Sequence, residues 1–525
     1  MLGILASLAF FAFALVVAWR SPRNGALLCV ALLPWEGLAI DLGIRITAYM
    51  LAITALVPAV LLRRSNDSAL PTDRGSLRVF HPFVAFVVVW SLFQVFNLPS
   101  AQLSGGALRE PLTRALLQIV VFGLVICPIW FLPVAFRSTK DLHDAGRMYI
   151  VSCFALAAIG FVQIGIWYLT GSDPLPIGVL NQALGGANPD LTRSGMLLFE
   201  GESIYRMSSL GGEPKGLGQS LVVAIFLLQT CYVYPKDALT MRGIFGWLFL
   251  VLAVFATQSS SAFGLLAVAL IVAAIASVGT PRRSQMRVGL ATGTVFGLLA
   301  GLFAFGTIAA GDRQVERLGA WTANILTERT VGRGTVFEDF DQAILKFLND
   351  NPEHYWLGVG LGNIHLHADP YLSTPARRYA GGKVFFAKSG YLKIISEAGI
   401  VGLLLFLFAC LNLVRRLGLL VKAESHDRAR MLWLSQIRLA FVFLTIAYLA
   451  RVYIGGQFFA CAGIVTAACS VLMAERYRLG WDRATRAGLV GDRLDLAHNF
   501  RSAEGIPSVS RNSPLPRSLA GFPQS

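Results

Sequence analysis

Two polar stretches between apolar runs hold most of the side chains that could do chemistry in this 525-residue chain. The first, residues 170–216, ends with Arg206, Glu213 and Lys215 directly before an apolar run. Arginine presents a planar fork that matches phosphate oxygens in pairs, and lysine adds a compact positive charge. The spacing therefore indicates a site for an anionic phosphate group, with Glu213 available as a proton acceptor.

The second stretch, residues 311–390, contains Arg333, His367 and Lys388. Apolar residues recur after Arg333 at helical spacing, which predicts an amphipathic helix that ends at Asn351-Pro352. The glycine-rich segment 356–363 follows, and it either turns the chain or brings its backbone close to a phosphate. His367 is either a surface histidine or a proton acceptor. Lys388 is a phosphate contact or, if burial stabilises its neutral form, a base.

A third polar segment, Thr257–Ala262, forms a short link between two apolar runs. Its hydroxyl groups, Ser259 and Ser261 among them, are suited either to binding sugar hydroxyls or to capping the adjoining helices. Neither this segment nor the two longer stretches shows a cluster of acidic or histidine residues that demands a metal. We therefore expect neither a metal nor a cofactor.

The composition predicts a membrane protein. Hydrophobic residues make up 55% of the chain and charged residues 14%, whereas soluble domains are about 25% charged. Apolar runs long enough to cross a hydrocarbon core of about 30 Å recur along the chain, which excludes soluble, fibrous and nucleic-acid-binding classes despite the net charge of +15. We expect an all-α polytopic protein of about 12–13 transmembrane helices. The predicted spans lie near residues 2–19, 25–40, 47–62, 80–97, 115–136, 148–169, 217–235, 243–257, 263–279, 288–310, 391–414, 431–451 and 454–474.

The basic residues predict the orientation. Alternate links carry nineteen of them, and the intervening short links carry three, which are Arg45, Arg109 and Arg114. Because short cytoplasmic links are enriched in basic residues, the stretches 170–216 and 311–390 are expected outside, the second as a large, partly helical loop between the tenth and eleventh spans. The C-terminus is then cytoplasmic and the N-terminus outside, unless span 25–40, with its Pro34 and Glu36, is re-entrant.

The domain organisation follows from the same patterns. Residues 1–475 are expected to form one polytopic membrane domain. Residues 476–525, rich in arginine, serine, proline and glycine, are expected to form a disordered basic tail. Charges inside spans are costly and often functional. For Arg438 we expect either a place in the cleft or a pairing with a carboxylate such as Glu397.

Four segments in this order resemble the O-antigen ligase/polymerase superfamily of bacterial envelope membranes. They are Arg206–Pro214, Thr257–Ala262, Arg333–Gly362 and Tyr391–Gly402. The resemblance covers roughly residues 200–410. It implies an inner-membrane enzyme that transfers a glycan, with inversion and without a metal, from undecaprenyl diphosphate at the outer leaflet to a sugar hydroxyl. For such a reaction, Arg206, Lys215 and Arg333 are the candidates for a clamp on the departing diphosphate. Glu213 and His367 are the candidates for the base, with Lys388 as a base only if its neutral form is stabilised.

The chain departs from the family pattern at two places. Ser260 stands where the family's hairpin has arginine, and Lys388-Ser389 stands where the family frequently has His-Asn. The second departure favours a polymerase of lipid-linked exopolysaccharide, capsule or O-antigen repeat units. The alternative is a ligase that transfers the finished glycan to a lipid or protein acceptor.

The expected partners are the undecaprenyl-diphosphate-linked glycan, membrane lipid, a flippase and a chain-length regulator, and no nucleic acid. A secondary transporter is the rival from another class. Transporters of that kind are commonly built from inverted repeats, and the sequence shows no such symmetry.

Overall fold

The computed structural model describes residues 2–41, 45–64, 73–98, 111–170, 196–199, 202–233, 241–257, 259–277, 339–374, 385–422 and 428–486. Most of these residues are helical. The helices are α1 (Leu2–Arg20), α2 (Pro22–Leu32), α3 (Ala48–Arg64), α4 (Arg74–Arg78), α5 (His81–Gln94), α6 (Pro111–Ile126), α7 (Pro128–Ala135), α8 (Thr139–Thr170), α9 (Pro214–Leu227), α10 (Met241–Ala256), α11 (Ser260–Ser277), α12 (Asp339–Asp350), α13 (Glu353–Leu357), α14 (Ile364–Ala368), α15 (Gly390–Lys422), α16 (Arg428–Ala450) and α17 (Gly455–Arg486).

Two short antiparallel hairpins accompany the helices. Strand β1 (Ala39–Asp41) pairs with β2 (Arg45–Thr47), and β3 (Met196–Phe199) pairs with β4 (Glu202–Tyr205). Neither hairpin joins a larger sheet in the part of the chain that the structure describes. The fold is therefore helical, with small strand pairs confined to links between helices.

Six helical stretches are long and apolar enough to cross a membrane. They are Arg74–Asn97, Pro111–Ala135, Thr139–Trp167, Gly390–Lys422, Arg430–Ala450 and Gly455–Arg476. Shorter apolar helices occur at Leu5–Arg20, Ala48–Leu62, Gly243–Ala256 and Ser261–Ile275. Helices overlap every predicted span except 288–310, which lies outside the described residues. This is the composition of a helical membrane protein.

The length of α8 gives the distance between the two ends of the helix bundle. Near its start, Asp141 forms an ion pair with Arg23. Further along, the side-chain oxygen of Gln163 accepts a hydrogen bond of 2.9 Å from the backbone N–H of Ser209. At 1.5 Å per residue these two positions lie roughly 33 Å apart, close to the thickness of a hydrocarbon core. We refer to the Asp141 end and the Ser209 end of the bundle.

The segment that begins with α2 runs between these two ends. Arg23 lies at the Asp141 end, while the backbone N–H of Gly37 donates to the carbonyl of Leu210 at the Ser209 end, at 2.9 Å. The helix itself has 11 residues, about 16 Å, and turns complete the path. The side chain of Trp35 donates to the hydroxyl of Ser152, midway along α8 between Asp141 and Gln163. This geometry favours a crossing segment over a re-entrant one.

A buried carboxylate ties three helices together at the Asp141 end. Asp73, which is 4% exposed, accepts hydrogen bonds from the Arg416 guanidinium and from the Ser76 hydroxyl. Its backbone N–H donates to the hydroxyl of Ser470 at 3.3 Å. The charge of Asp73 is thereby paired and hydrogen-bonded, as a buried charge must be.

Of the two alternatives for Arg438, pairing with Glu397 is wrong. A Cβ atom added at Gly418 would lie 2.4 Å from Nη1 of Arg438, so the guanidinium lies beside the C-terminal half of α15. Glu397 lies in the first two turns of α15, roughly 30 Å away along the helix. The reason is the register of α15 against α16, which brings Arg438 next to Gly418 rather than to the start of α15.

The chain divides after Leu472 into two compact units. The described residues of the second unit all belong to α17, which ends at Arg486. The first part of the predicted tail, up to Arg486, is therefore helical. Residues 487–525 lie outside the described residues, and a disordered tail there stays a prediction.

Candidate functional site

The chain reverses sharply between Arg206 and Lys215 before it enters α9. A 3-10 turn at Ser209–Gly211 is followed by Gly212, whose φ of +88° is open to glycine without strain. Glu213 then adopts an extended conformation as the residue before the helix, and Pro214 begins it. Proline suits this first position because its missing N–H has no helical partner there. Glu213 and Lys215 are both half-buried at the N-terminus of α9.

The hydroxyl-rich link between α10 and α11 lies against this turn. The backbone N–H of Met207 donates to the carbonyl of Ala256 at 3.0 Å. The side chain of Gln219 on α9 donates to the hydroxyl of Ser261 at 3.3 Å. The segments around Arg206 and Ser261, which are separate motifs in the sequence, thus meet at the Ser209 end.

The two predicted hydroxyls differ in their exposure. Ser259 is 6% exposed, and its hydroxyl lies 3.0 Å from that of Ser261. Thr257 donates its hydroxyl to the carbonyl of Val254, which caps α10. Ser261 is half-buried. Of the two alternatives, helix capping therefore accounts for Thr257, and Ser261 is the better placed of the two serines for a ligand.

Glu36 belongs to the same end of the bundle, although the sequence reasoning did not assign it to the site. A Cβ atom added at Gly216 would lie 3.6 Å from Oε2 of Glu36, so this carboxylate faces the first turn of α9. Negative charge is favourable at a helix N-terminus. The signal in the sequence was an acidic residue beside Pro34 inside an otherwise apolar span.

The glycine-rich segment is built into the helix bundle by a break in α15. Gly399 has φ +70°, and a Cβ atom there would lie 2.0 Å from the carbonyl oxygen of Trp356. The break leaves two α15 carbonyls without helical partners. Val359 N–H donates to the carbonyl of Ser396 and Gly360 N–H to that of Glu397, both at 2.9 Å.

The next two N–H groups of the segment also have protein acceptors. Leu361 N–H donates to the hydroxyl of Ser91 at 3.0 Å, and Gly362 N–H donates to Oε1 of Glu397 at 3.2 Å. Four consecutive backbone donors are thus occupied within the protein. A loop that binds phosphate presents such donors to the ligand. The segment therefore turns the chain and holds it against its neighbours, which was the first of its two predicted roles.

Lys388 precedes α15 and is held by a distant carboxylate. Asp341 on α12 accepts from the backbone N–H of Lys388 at 2.7 Å, and from the N–H and hydroxyl of Ser389 at 3.3 and 3.1 Å. The Lys388 ammonium lies 5.5 Å from the ring centroid of Phe340 and 4.8 Å from that of Phe386. Aromatic faces attract cations. The geometry therefore favours a binding role for Lys388 over its alternative as a base.

The segment after α16 links Lys388 to the turn before α9. The backbone N–H of Val452 donates to the carbonyl of Lys388 at 3.1 Å. A few residues on, the side chain of Gln457 donates to the hydroxyl of Ser220 on α9 at 3.0 Å. Lys388 and the N-terminus of α9 thus lie at the same end of the bundle.

His367 lies among aromatic residues of the segment that contains α12–α14. Its ring centroid is 5.5 Å from that of Phe347 and 5.8 Å from that of His354. Burial, with a smaller contribution from His354, lowers the pKa of His367 to about 4. A base of such low pKa accepts a proton weakly at neutral pH. These contacts and this pKa argue against His367 as the proton acceptor.

Arg333 lies outside the described residues. Across the part of the chain that is described, three or more histidine, cysteine, aspartate or glutamate side chains do not come together in a way that could hold a metal ion.

No protein-family model matches the chain, and no curated protein matches its sequence. The resemblance to the O-antigen ligase/polymerase superfamily therefore depends on the four motifs alone.

Proposed function

We propose that this chain is a polymerase of lipid-linked polysaccharide repeat units, acting at the outer leaflet of the bacterial inner membrane. The observation that carries the proposal is the meeting of Arg206, Glu213, Lys215, Ser261 and Glu36 at one end of an apolar helix bundle. Basic residues in cytoplasmic links have a topological explanation, but Arg206 precedes α9 and Lys215 lies in its first turn, on the side expected outside. Their presence there indicates an anionic ligand.

The proposed topology has about 12–13 spans, with the Ser209 end outside and the C-terminus in the cytoplasm. Cysteine labelling of intact cells tests it. The seven native cysteines are buried, so introduced cysteines dominate the signal. We expect Ser373→Cys to react with an impermeant reagent and Ser425→Cys to react only after lysis. Labelling of position 425 in intact cells would overturn the orientation and the site with it.

The proposed reaction displaces a diphosphate from the anomeric carbon of the donor glycan. The acceptor hydroxyl oxygen forms the new bond to that carbon, and the bond to the lipid diphosphate breaks with inversion. Arg206, Lys215 and Arg333 stabilise the charge on the departing diphosphate, with help from the N-terminus of α9. The hydroxyl proton passes to a carboxylate, for which Glu213 and Glu36 are the candidates beside that helix end.

Polymerisation is favoured over ligation by the cation at position 388. Both substrates of a polymerase carry a lipid diphosphate, so a second cationic group suits a second anionic substrate. Lys388 lies against two aromatic rings that attract its charged form, and the histidine that the family frequently has there is missing. A ligase, by contrast, uses an acceptor of different chemistry.

Substitutions at the clamp test the proposed function. In a strain that lacks the native gene, Arg206→Ala and Lys215→Ala should each reduce elongation of lipid-linked repeat units by about 100-fold, the usual effect of losing a group that stabilises developing charge. Arg206→Lys should rescue poorly if contact is bidentate. Lys346→Ala, an exposed lysine on α12, serves as the matched control. Wild-type elongation by both alanine variants at normal protein amounts would refute the clamp.

A further inference from the structure

Two ammonium groups share one half-exposed aromatic ring at the start of α15. The Phe386 side chain is 37% exposed. Lys388 Nζ lies 4.8 Å from the centroid of its ring, and Lys393 Nζ lies 5.7 Å from it. We call these three residues the lysine–phenylalanine patch. The two like charges are at most roughly 10 Å apart, about one Debye length, so an anion bound between them would be attracted by both.

The patch is held rigidly before any ligand arrives. The backbone of Lys388 donates to Asp341 and accepts from Val452. Phe340, which also contacts the Lys388 ammonium, stacks on Phe385 at 5.1 Å between ring centroids. A site whose groups are already ordered loses little conformational entropy on binding.

The nearby carboxylates already have partners in the backbone. Asp341 accepts from the N–H groups of Lys388 and Ser389, and Oε1 of Glu397, one turn beyond Lys393, accepts from the N–H of Gly362. Each carboxylate therefore already uses oxygen atoms as acceptors for hydrogen bonds that hold the protein backbone. The two lysine ammonium groups would attract an external anion in addition to these two carboxylates.

We propose that the lysine–phenylalanine patch binds a carboxylated sugar, so that the glycan this protein handles contains a uronic acid or a similarly acidic residue. A carboxylate pairs with the ammonium groups, and the apolar face of a sugar ring can cover the exposed part of Phe386. A diphosphate also offers negative charge but has no apolar face. This inference rests on the proposed function and adds the substrate class to it.

Binding of defined oligosaccharides to the full-length protein in nanodiscs of zwitterionic lipid tests the inference by calorimetry. The probes are a galacturonic acid tetramer, a neutral galactose tetramer and inorganic diphosphate. We expect the acidic tetramer to bind at least about tenfold more tightly than the neutral one. Lys388→Ala and Lys393→Ala should each weaken it about fivefold. Lys388→Arg should retain binding, and Lys346→Ala should leave it unchanged.

Several results would overturn the inference. They are equal affinity for the acidic and neutral tetramers, no binding of the acidic tetramer, and wild-type affinity in both alanine variants. Diphosphate binding that depends on Lys388, without binding of the acidic tetramer, would assign the patch to a lipid headgroup instead. If the acidic tetramer fails to bind while Arg206→Ala abolishes elongation, only this inference fails. If it binds while a strain without the gene still makes long polymer on the lipid carrier, only the proposed function fails.

Discussion

The break in α15 gives the sharpest stability prediction, which is the effect of Gly399→Ala. The backbone at this position has φ +70° and ψ −176°, a region that essentially only glycine adopts, so a residue with a Cβ atom there costs about 1–3 kcal/mol. The added Cβ would also lie 2.0 Å from the carbonyl oxygen of Trp356 and 2.4 Å from the nitrogen of Leu357. Both contacts are with backbone, so the glycine-rich segment must move away from α15.

Movement of that segment disrupts its hydrogen bonds. The donors of Val359 and Gly360, and the Ser396 and Glu397 carbonyls that accept from them, are buried. Leaving two buried donors unpaired costs about 1–3 kcal/mol each. Together with the backbone strain, Gly399→Ala should cost roughly 3–9 kcal/mol, and its Tm should fall by roughly 3–8 °C.

The assay is thermal denaturation of the purified protein in detergent, followed by the fraction that remains monodisperse. Gly123→Ala is the matched control, because no atom lies within 4 Å of a Cβ added at this position in α6. Alanine is favoured over glycine within a helix, so the control should keep or slightly raise the Tm. A Gly399→Ala protein with the wild-type Tm would refute the docking of the glycine-rich segment on the break.

Three further outcomes are expected. Asp73→Asn should lower the Tm clearly more than Asp144→Asn, because a paired buried carboxylate is lost in the first case and a partly exposed one in the second. Burial, with a smaller contribution from a nearby arginine, lowers the pKa of His365 to about 4. The unfolded chain therefore binds more protons between pH 6.5 and 4, and stability that is complete above pH 6.5 should fall by about 2 kcal/mol on going to pH 5. Between pH 6.5 and pH 5, the Tm of His365→Asn should fall less than the Tm of the wild type. An equal fall in both proteins would contradict this. Glu36→Gln should slow elongation strongly if this carboxylate takes the proton, whereas Glu353→Gln, at an exposed residue of α13, should not.

The helices were largely predictable from the sequence because apolar runs and helices share a cause. A segment without polar side chains must satisfy its own backbone in a membrane, and a helix does so. The amphipathic helix before Asn351-Pro352 followed equally from its spacing, and α12 ends at Asp350. The end of α2 at Leu32 could not be predicted from the sequence. The turns after this helix are stabilised by hydrogen bonds to α8, such as that from Trp35 to Ser152, and only the fold brings these partners together.

The candidate site was predictable in part. Arg206 and Lys215 stand out because basic residues are unexpected on the side that the charge distribution predicts to be outside. The role of Glu36 depends on contact with a turn far along the chain, and no local pattern reveals such a contact. The same holds for Asp341, which accepts hydrogen bonds from the two residues directly before α15 although it lies on another helix. His367 was attractive as a residue type, but its aromatic surroundings and lowered pKa follow from packing.

The central claim is that this chain joins repeat units while they are still attached to their lipid carrier. The most direct measurement is the size profile of lipid-linked glycans in a strain from which the gene has been deleted. The account predicts single repeat units accumulating on the lipid carrier, no long polymer, and recovery of polymer when the wild-type gene is returned. Long polymer on the lipid carrier, missing only from its final acceptor, would contradict the account and identify a ligase.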